Sequence, residues 1–296
     1  MLRVLVTGGN IGDHVAEMLV RRGCSVRLLV RRLTRNSHWD ELGIQQVAAD
    51  ATDLDSLATA FDGVKRFFSV SPLVENLVEL GVNAIEAAKS AGVRYIVRSS
   101  ALGAGEKSIA IRRLHREVEK AVEDSGIPYT ILRPNTFMQS YLTDAETVKR
   151  DATLYMPMGS GRVSLIDVRD VAAVAITCLE EPGHEGNTYE LTGGEPLSNF
   201  DIAEKLSAAV GKRIVYMDVS PTQAAERMRK AGISDWMIQM RLELFDVCKA
   251  GYAAEISGAV EHVLRRKPIS FDQFLAENGT SFRESDMEMQ SIGASR

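Results

Sequence analysis

Through the first half of this 296-residue chain, short apolar runs alternate with stretches whose apolar residues recur every three or four positions. The runs lie at 2–7, 25–30, 44–48, 66–70, 94–97 and 129–132. Most positions in them are apolar rather than strictly alternating, the pattern of strands covered by helices on both faces. Ile11, Val15, Met18 and Leu19 mark a helix that ends near Gly23. Leu77, Leu80, Ala84, Ala87, Ala88 and Ala91 mark one ending at Gly92, and Ile111, Leu114, Val118, Ala121 and Val122 one ending at Gly126. A glycine just past a helix supplies a left-handed exit that other residues resist. Such alternation predicts right-handed βαβ crossovers and therefore an α/β fold with a doubly wound parallel sheet.

After Arg133-Pro134 the pattern changes. A loop-like stretch rich in Met, Gly and Pro (155–161) precedes a strand at 162–165 and a helix at 168–179, whose first turn Asp167 or Asp170 can serve. A strand at 187–191, a helix at 199–210, a strand at 213–219 and helical stretches at 222–231 and 235–249 follow. They predict a smaller, mostly helical C-terminal lobe. From Gly279 large apolar groups are few, the composition of a disordered tail.

Composition narrows the function. With 35 Lys+Arg against 40 Asp+Glu the net charge is −5, which gives no basic field for a nucleic-acid backbone. No apolar run approaches the roughly 20 residues that cross a bilayer. The chain opens in a strand-like run without a charged leader, and Cys24, Cys178 and Cys248 lie far apart without CxxC spacing. A cytoplasmic protein without disulfide framework or zinc cage is expected. His14, His38, His115, His184 and His262 show no metal spacing with the cysteines, and no HExxH, GxSxG or Walker pattern occurs.

Thr7-Gly8-Gly9-Asn10-Ile11-Gly12 stands between the first strand and the first helix, where a doubly wound sheet holds a dinucleotide pyrophosphate. Glycines let the backbone approach the phosphates, and the helix N-terminus offers free N–H groups. A plain tight turn is the bland alternative. The second strand ends in Arg31-Arg32. An acidic residue there would bind the ribose 2′-hydroxyl of NAD, whereas arginine complements a 2′-phosphate. Arg31, with Arg32 or Arg35 assisting, therefore points to NADP(H) in preference to NAD(H), unless the segment is only a solvated basic loop. Asp50, after the third strand, can accept from the adenine amino group or cap the helix starting near Asp53.

These residues, with Val47-Ala48-Ala49-Asp50, Ser69-Val70-Ser71-Pro72, the run from Ser125-Gly126-Ile127-Pro128 through Leu132-Arg133-Pro134 to Tyr141, Ile166-Asp167-Val168-Arg169-Asp170-Val171-Ala172 and Tyr189-Glu190-Leu191-Thr192-Gly193-Gly194, appear in family order. The chain resembles an NmrA-like atypical short-chain dehydrogenase/reductase, near the quinone oxidoreductase and triphenylmethane reductase branch, over residues 1–277. The resemblance implies a Rossmann domain binding NADP(H) at 1–150, to whose sheet later strands return. It also implies a substrate lobe at 151–278, with 279–296 as the tail. Family members reduce quinones, dyes and activated double bonds, and some are non-catalytic sensors of the NADPH/NADP balance. Two departures stand out. The usual Gly-x-x-Gly-x-x-Gly turn is shorter here by two residues. At the Tyr-x-x-x-Lys position the chain reads Ile111-Arg112-Arg113-Leu114-His115, which argues against ordinary alcohol dehydrogenation.

His115 falls on the inward stripe of its helix beside Val122. It can hydrogen-bond the nicotinamide ribose, relay a proton near neutral pH, or simply pack. Val70, Ser99 and Pro134, at carboxyl ends of strands, join the expected cofactor contacts. Ser71, Ser100, Asn135, Phe137, Met138 and Tyr141 form the expected substrate set, with Met156 beside it. These aromatic and thioether groups suit a flat acceptor, and Tyr141 is within the class of groups that donate a proton; core packing is the alternative for each. Trp236, Met237, Met240 and Leu244 read as core. The expectation is NADPH-dependent hydride transfer to a quinone or related aromatic compound. A nucleotide-sensing regulator and a non-redox enzyme on the same scaffold are the alternatives, and a homodimer rests on base rates alone.

Overall fold

The computed structural model describes residues 3–34, 37–105 and 108–283. The chain divides into two compact units: 1–135 with 168–192 and 257–267, and 136–167 with 193–256 and 268–296. Residues 136–150, expected with the first domain, thus belong to the second unit, and 168–192 return to the first.

The first unit is the sheet unit. It is built from β1 (Arg3–Thr7), α1 (Asn10–Arg21), β2 (Ser25–Val30), α2 (Ser37–Leu42), β3 (Gln45–Ala48) and α3 (Leu54–Phe61). It continues through β4 (Arg66–Val70), α4 (Leu77–Ser90), β5 (Tyr95–Ser99), α5 (Ala110–Asp124) and β6 (Tyr129–Pro134). The seven strands run in the order β3-β2-β1-β4-β5-β6-β9, every neighbouring pair parallel. Here β9 is Thr188–Leu191, and the returning segments also supply α7 (Val168–Glu180) and α11 (Ala259–Leu264). This is the Rossmann-type doubly wound sheet. The order reverses at β1, which lies between β2 and β4, and such a switch point opens a crevice at the carboxyl ends of the strands. Leu5, Phe67, Ile96, Ile85, Phe61 and Val122 form one apolar layer on the sheet. Gly23, Gly92 and Gly126 take positive φ after α1, α4 and α5, as their places in the sequence require.

The second unit opens with a 3-10 helix (Met138–Asp144), followed by α6 (Ala145–Asp151), β7 (Thr153–Met156) and β8 (Arg162–Val163). Then come β10 (Leu197–Ser198), α8 (Asn199–Val210), β11 (Val215–Asp218), α9 (Pro221–Lys230), α10 (Asp235–Lys249), α12 (Phe271–Asn278) and a 3-10 turn (Gly279–Phe282). The stretch expected as a loop from Tyr155 begins as strand, because β7 pairs in parallel with the distant β11. The tail expected to be disordered from Gly279 instead makes that final turn, since Phe282, 1% exposed, buries in the unit's core. The remainder of the tail lies outside the described residues. Among the described residues no helix is long and apolar enough to cross a membrane. Nor does any group of three or more His, Cys, Asp or Glu there suit a metal ion. All three cysteines are free.

Candidate functional site

The glycine turn sits at the carboxyl end of β1, beside the switch point. The Gly8 N–H donates to the Leu29 carbonyl at 2.8 Å and ties the turn to β2. Gly9 is the N-cap of α1 at φ 119°, ψ 177°, a region essentially reserved for glycine. It brings no side-chain cap to the first turn. A Cβ on Gly12 would lie 1.9 Å from the Thr7 carbonyl oxygen, so only glycine lets α1 start this close to β1. These are the demands of a phosphate-binding turn: a helix start, whose first-turn N–H groups have no intrahelical acceptor, and backbone open to close approach. One donor is already engaged, since the Gly9 N–H reaches Asp13 Oδ1 at 3.1 Å.

Arg31 and Arg32 follow β2 and are exposed; Arg35 lies outside the described residues. Asp50 is exposed too. Its carboxylate accepts the Thr52 N–H at 2.9 Å and hydroxyl at 2.8 Å, and these bonds hold its pKa below the ordinary value. The helix after it is capped not by Asp50 but by Asp53, which accepts from Asp55 and Ser56. The capping alternative is corrected accordingly.

At the carboxyl end of the sheet, Val70, Ser99 and Leu132 stand side by side on β4, β5 and β6, and Pro134 pairs with Leu191 on β9. Beneath them lies a buried polar layer. Arg98 on β5 is wholly buried, and its Nη1 donates to Ser69 Oγ at 3.1 Å. Its Nε and Nη2, His115 Nδ1 and Ser71 Oγ have no hydrogen-bond partner among the described residues. Gly81 lets α4 approach α5 here: a Cβ on it would lie 2.7 Å from Val118 Cγ2 and 2.9 Å from Ser71 Oγ. Glu119, fully buried on α5, takes both arms of Arg133 at 2.9 and 2.6 Å and Arg116 at 3.0 Å. Arg116 in turn clasps Glu123 at 2.6 and 2.8 Å.

The layer sets the charges. Burial pushes the Arg98 guanidinium down to about 10, still cationic at neutral pH. Burial first, and the Arg98 charge second, drive His115 to about 3 against the pull of Glu119. At that value His115 is a neutral imidazole at physiological pH, with hydrogen bonding open to it. Burial raises Glu119, but Arg133, Ser100 and Arg116 outweigh it and hold the carboxyl below the ordinary range. The buried Ser100 hydroxyl acts on that carboxylate without a geometry that makes a hydrogen bond. Arg98 escaped the sequence reading, which ended the strand at Val97. The signal was its place two residues after Ile96 on the same face of a central strand.

The remaining expected residues divide by unit. Asn135, buried, closes the first unit's segment, its N–H on the Leu191 carbonyl at 2.9 Å. Phe137 belongs to the second unit, half-buried and bridged to Ile166. Met138 and Tyr141 are core residues of that unit. The Tyr141 hydroxyl donates to Asn199 Oδ1 at 2.8 Å, its ring meets Phe271 edge-on, and burial pushes its pKa well above the ordinary value. The phenol is thus bonded internally, and burial favours its protonated form. The same 3-10 helix ends at Asp144, which burial raises to about 6 against the pull of Arg241 and Arg227. No sequence signal marked Asp144, whose burial depends on chain far from it.

The residues of the sheet unit fit a dinucleotide. The turn keeps first-turn donors, Gly12 requires its missing Cβ, and orphaned polar atoms cluster at the sheet's carboxyl end. The comparisons agree with that reading. The model of the NmrA-like family matches residues 2–275. An NAD(P)H azoreductase of Xenophilus azovorans is 34% identical over 282 residues, covering 94% of this chain and 99% of the relative. Quinone oxidoreductase 2 of Escherichia coli is 30% identical over 242 residues, 80% of this chain and 85% of that one. The crystal structure of an NADPH-dependent quinone oxidoreductase from Escherichia coli, complexed with NADPH, superposes with a TM-score of 0.84. It is 26% identical and covers 93% of this chain and 99% of its own.

Proposed function

The chain belongs to the NmrA-like family, and on that premise we propose that it is an NADPH-dependent oxidoreductase, acting in the cytoplasm on a quinone or related conjugated aromatic acceptor. The observation that carries this reading is the glycine turn at the sheet's switch point, with Arg31 directly after β2 where an NAD-specific site needs a carboxylate. A relative matching 94% of the chain is named as an NAD(P)H azoreductase, and one matching 80% as a quinone oxidoreductase.

The first-turn N–H groups of α1 would hold the diphosphate, and Arg31, with Arg32, the 2′-phosphate. When bound, the coenzyme supplies a hydride from its nicotinamide ring. His115, neutral throughout the physiological range, orients by hydrogen bonding rather than by giving up a proton. Arg98, Arg116 and Arg133 face Glu119 and Glu123 in the layer, and Glu190 on β9 stands beside Arg133. The buried Arg98 guanidinium near the carboxyl end of the sheet favours an acceptor that spreads incoming negative charge over a conjugated system. Such chemistry needs no strong acid beside the acceptor, which suits a chain that has His115 where the family's lysine stands and isoleucine at the tyrosine position.

The test is NADPH consumption by the purified protein across quinones and azo dyes. Turnover is expected, and Arg31→Ala should cut the preference for NADPH over NADH on the order of tenfold, the size of one charge-assisted contact. Equal use of both coenzymes by the unaltered protein would remove Arg31 from the reading. The shortened turn favours one second reading, the nucleotide sensor; tight binding without turnover on any acceptor, with a co-purifying partner, would select it.

A further inference from the structure

Helices α8, α9, α10, α12 and α3 are each capped by the side chain of the residue just before them: Ser198, Ser220, Ser234, Ser270 and Asp53. Helix α1 is closed differently. Its cap is a glycine, and a carboxylate from within the helix folds back on it. The Gly9 N–H donates to Asp13 Oδ1 at 3.1 Å, while the Asp13 N–H donates to the Gly9 carbonyl at 2.8 Å. The arrangement works like a capping box displaced by one residue. It stabilises a glycine held at φ 119° whose exposed N–H has no other partner among the described residues.

The same bond places a full negative charge at the positive end of α1, in the turn proposed above to take the diphosphate. We propose that Asp13 is a built-in competitor of the coenzyme: its carboxylate occupies the Gly9 donor in the free protein, and nucleotide binding must displace it. The inference rests on the nucleotide reading of this turn. Two consequences follow from the charges. The diphosphate meets one donor fewer and one like charge more than the backbone alone would offer, so affinity is set below what the turn could deliver. Both nicotinamide coenzymes carry the same diphosphate, so Asp13 weakens both by one factor, whereas Arg31 distinguishes them.

The experiment is a fluorescence titration of NADPH and NADH against the full chain and its Asp13→Asn and Asp13→Ala variants, at low and high salt. Asn keeps an acceptor for the Gly9 N–H and removes only the charge. Asp13→Asn should tighten both coenzymes about tenfold at low salt, with the gain shrinking at high salt. Asp13→Ala should bind at least as tightly as Asp13→Asn while melting lower in the free state, because the closure of α1 is lost. Unchanged or weaker affinity in both variants would overturn the proposal and leave Asp13 as a cap alone. A gain confined to NADPH would also overturn it, because the 2′-phosphate rather than the diphosphate would then be the group Asp13 opposes. If none of the three proteins binds either coenzyme, the nucleotide reading itself fails and takes this inference with it. Tighter binding by the variants, with no turnover on any acceptor, would sustain the inference while removing the reductase.

Discussion

The glycine turn and the buried polar layer belong to one sheet unit and treat their polar groups in opposite ways. In the turn, where solvent reaches, the chain closes its own donors: Gly8 on Leu29, Gly9 on Asp13. In the layer, Arg98 keeps two nitrogens, and His115 and Ser71 one atom each, without partners among the described residues. Closure in an exposed turn is reversible, since water can take over the hydrogen bonds of both the Gly9 N–H and the Asp13 carboxylate. A buried charge has no such exchange, and its desolvation was met when the chain folded. The turn is therefore built to trade partners, and the layer to hold a fixed potential.

The sharpest way to break that contrast is Glu119→Gln. The carboxylate neutralises Arg133 and Arg116 and faces Arg98, so losing its charge should cost about 3 kcal/mol of stability, read by urea denaturation. A loss below roughly 1 kcal/mol, the range of exposed ion pairs, would mean that the layer is hydrated like a surface. Gly12→Ala acts on the other region. With 1.9 Å to the Thr7 carbonyl, α1 must move off β1, at about 1–3 kcal/mol and with loss of coenzyme binding. Binding unaltered in that variant would detach the nucleotide from this turn.

The third effect is a slope, absent at neutral pH and growing only in acid. His115 is held near 3 by burial and Arg98, below its ordinary 6.5. Between those values the unfolded chain takes up a proton that the folded chain refuses. The stability tied to this group is therefore complete above pH 6.5 and is lost as pH falls toward 3. His115→Phe should flatten that part of the stability–pH curve, with the difference growing from pH 6 downward. Parallel curves for the two proteins would show that His115 is solvated and titrates normally.

What the sequence revealed follows the same division. Turn, helix N-terminus and Arg31 are contiguous in the chain, so their relation could be read from local order, and the apolar runs gave the sheet. The layer was hidden because its bonds join separate elements: Glu119 on α5 meets Arg133 on β6, and Arg98 reaches across to Ser69 on β4. Tyr141 was legible only as an aromatic, since its bonding partner Asn199 lies 58 residues further on. The second half of strand β7, from Tyr155, reads as loop for the same reason, its partner β11 being remote.

Calorimetric titration of the unaltered protein with NADPH, and in parallel with NADH, tests the central claim most directly. Saturable heat at one NADPH per chain, with NADH binding more weakly, is the expected result. No saturable heat with NADPH up to millimolar concentration, or equal affinity for both coenzymes, would contradict it.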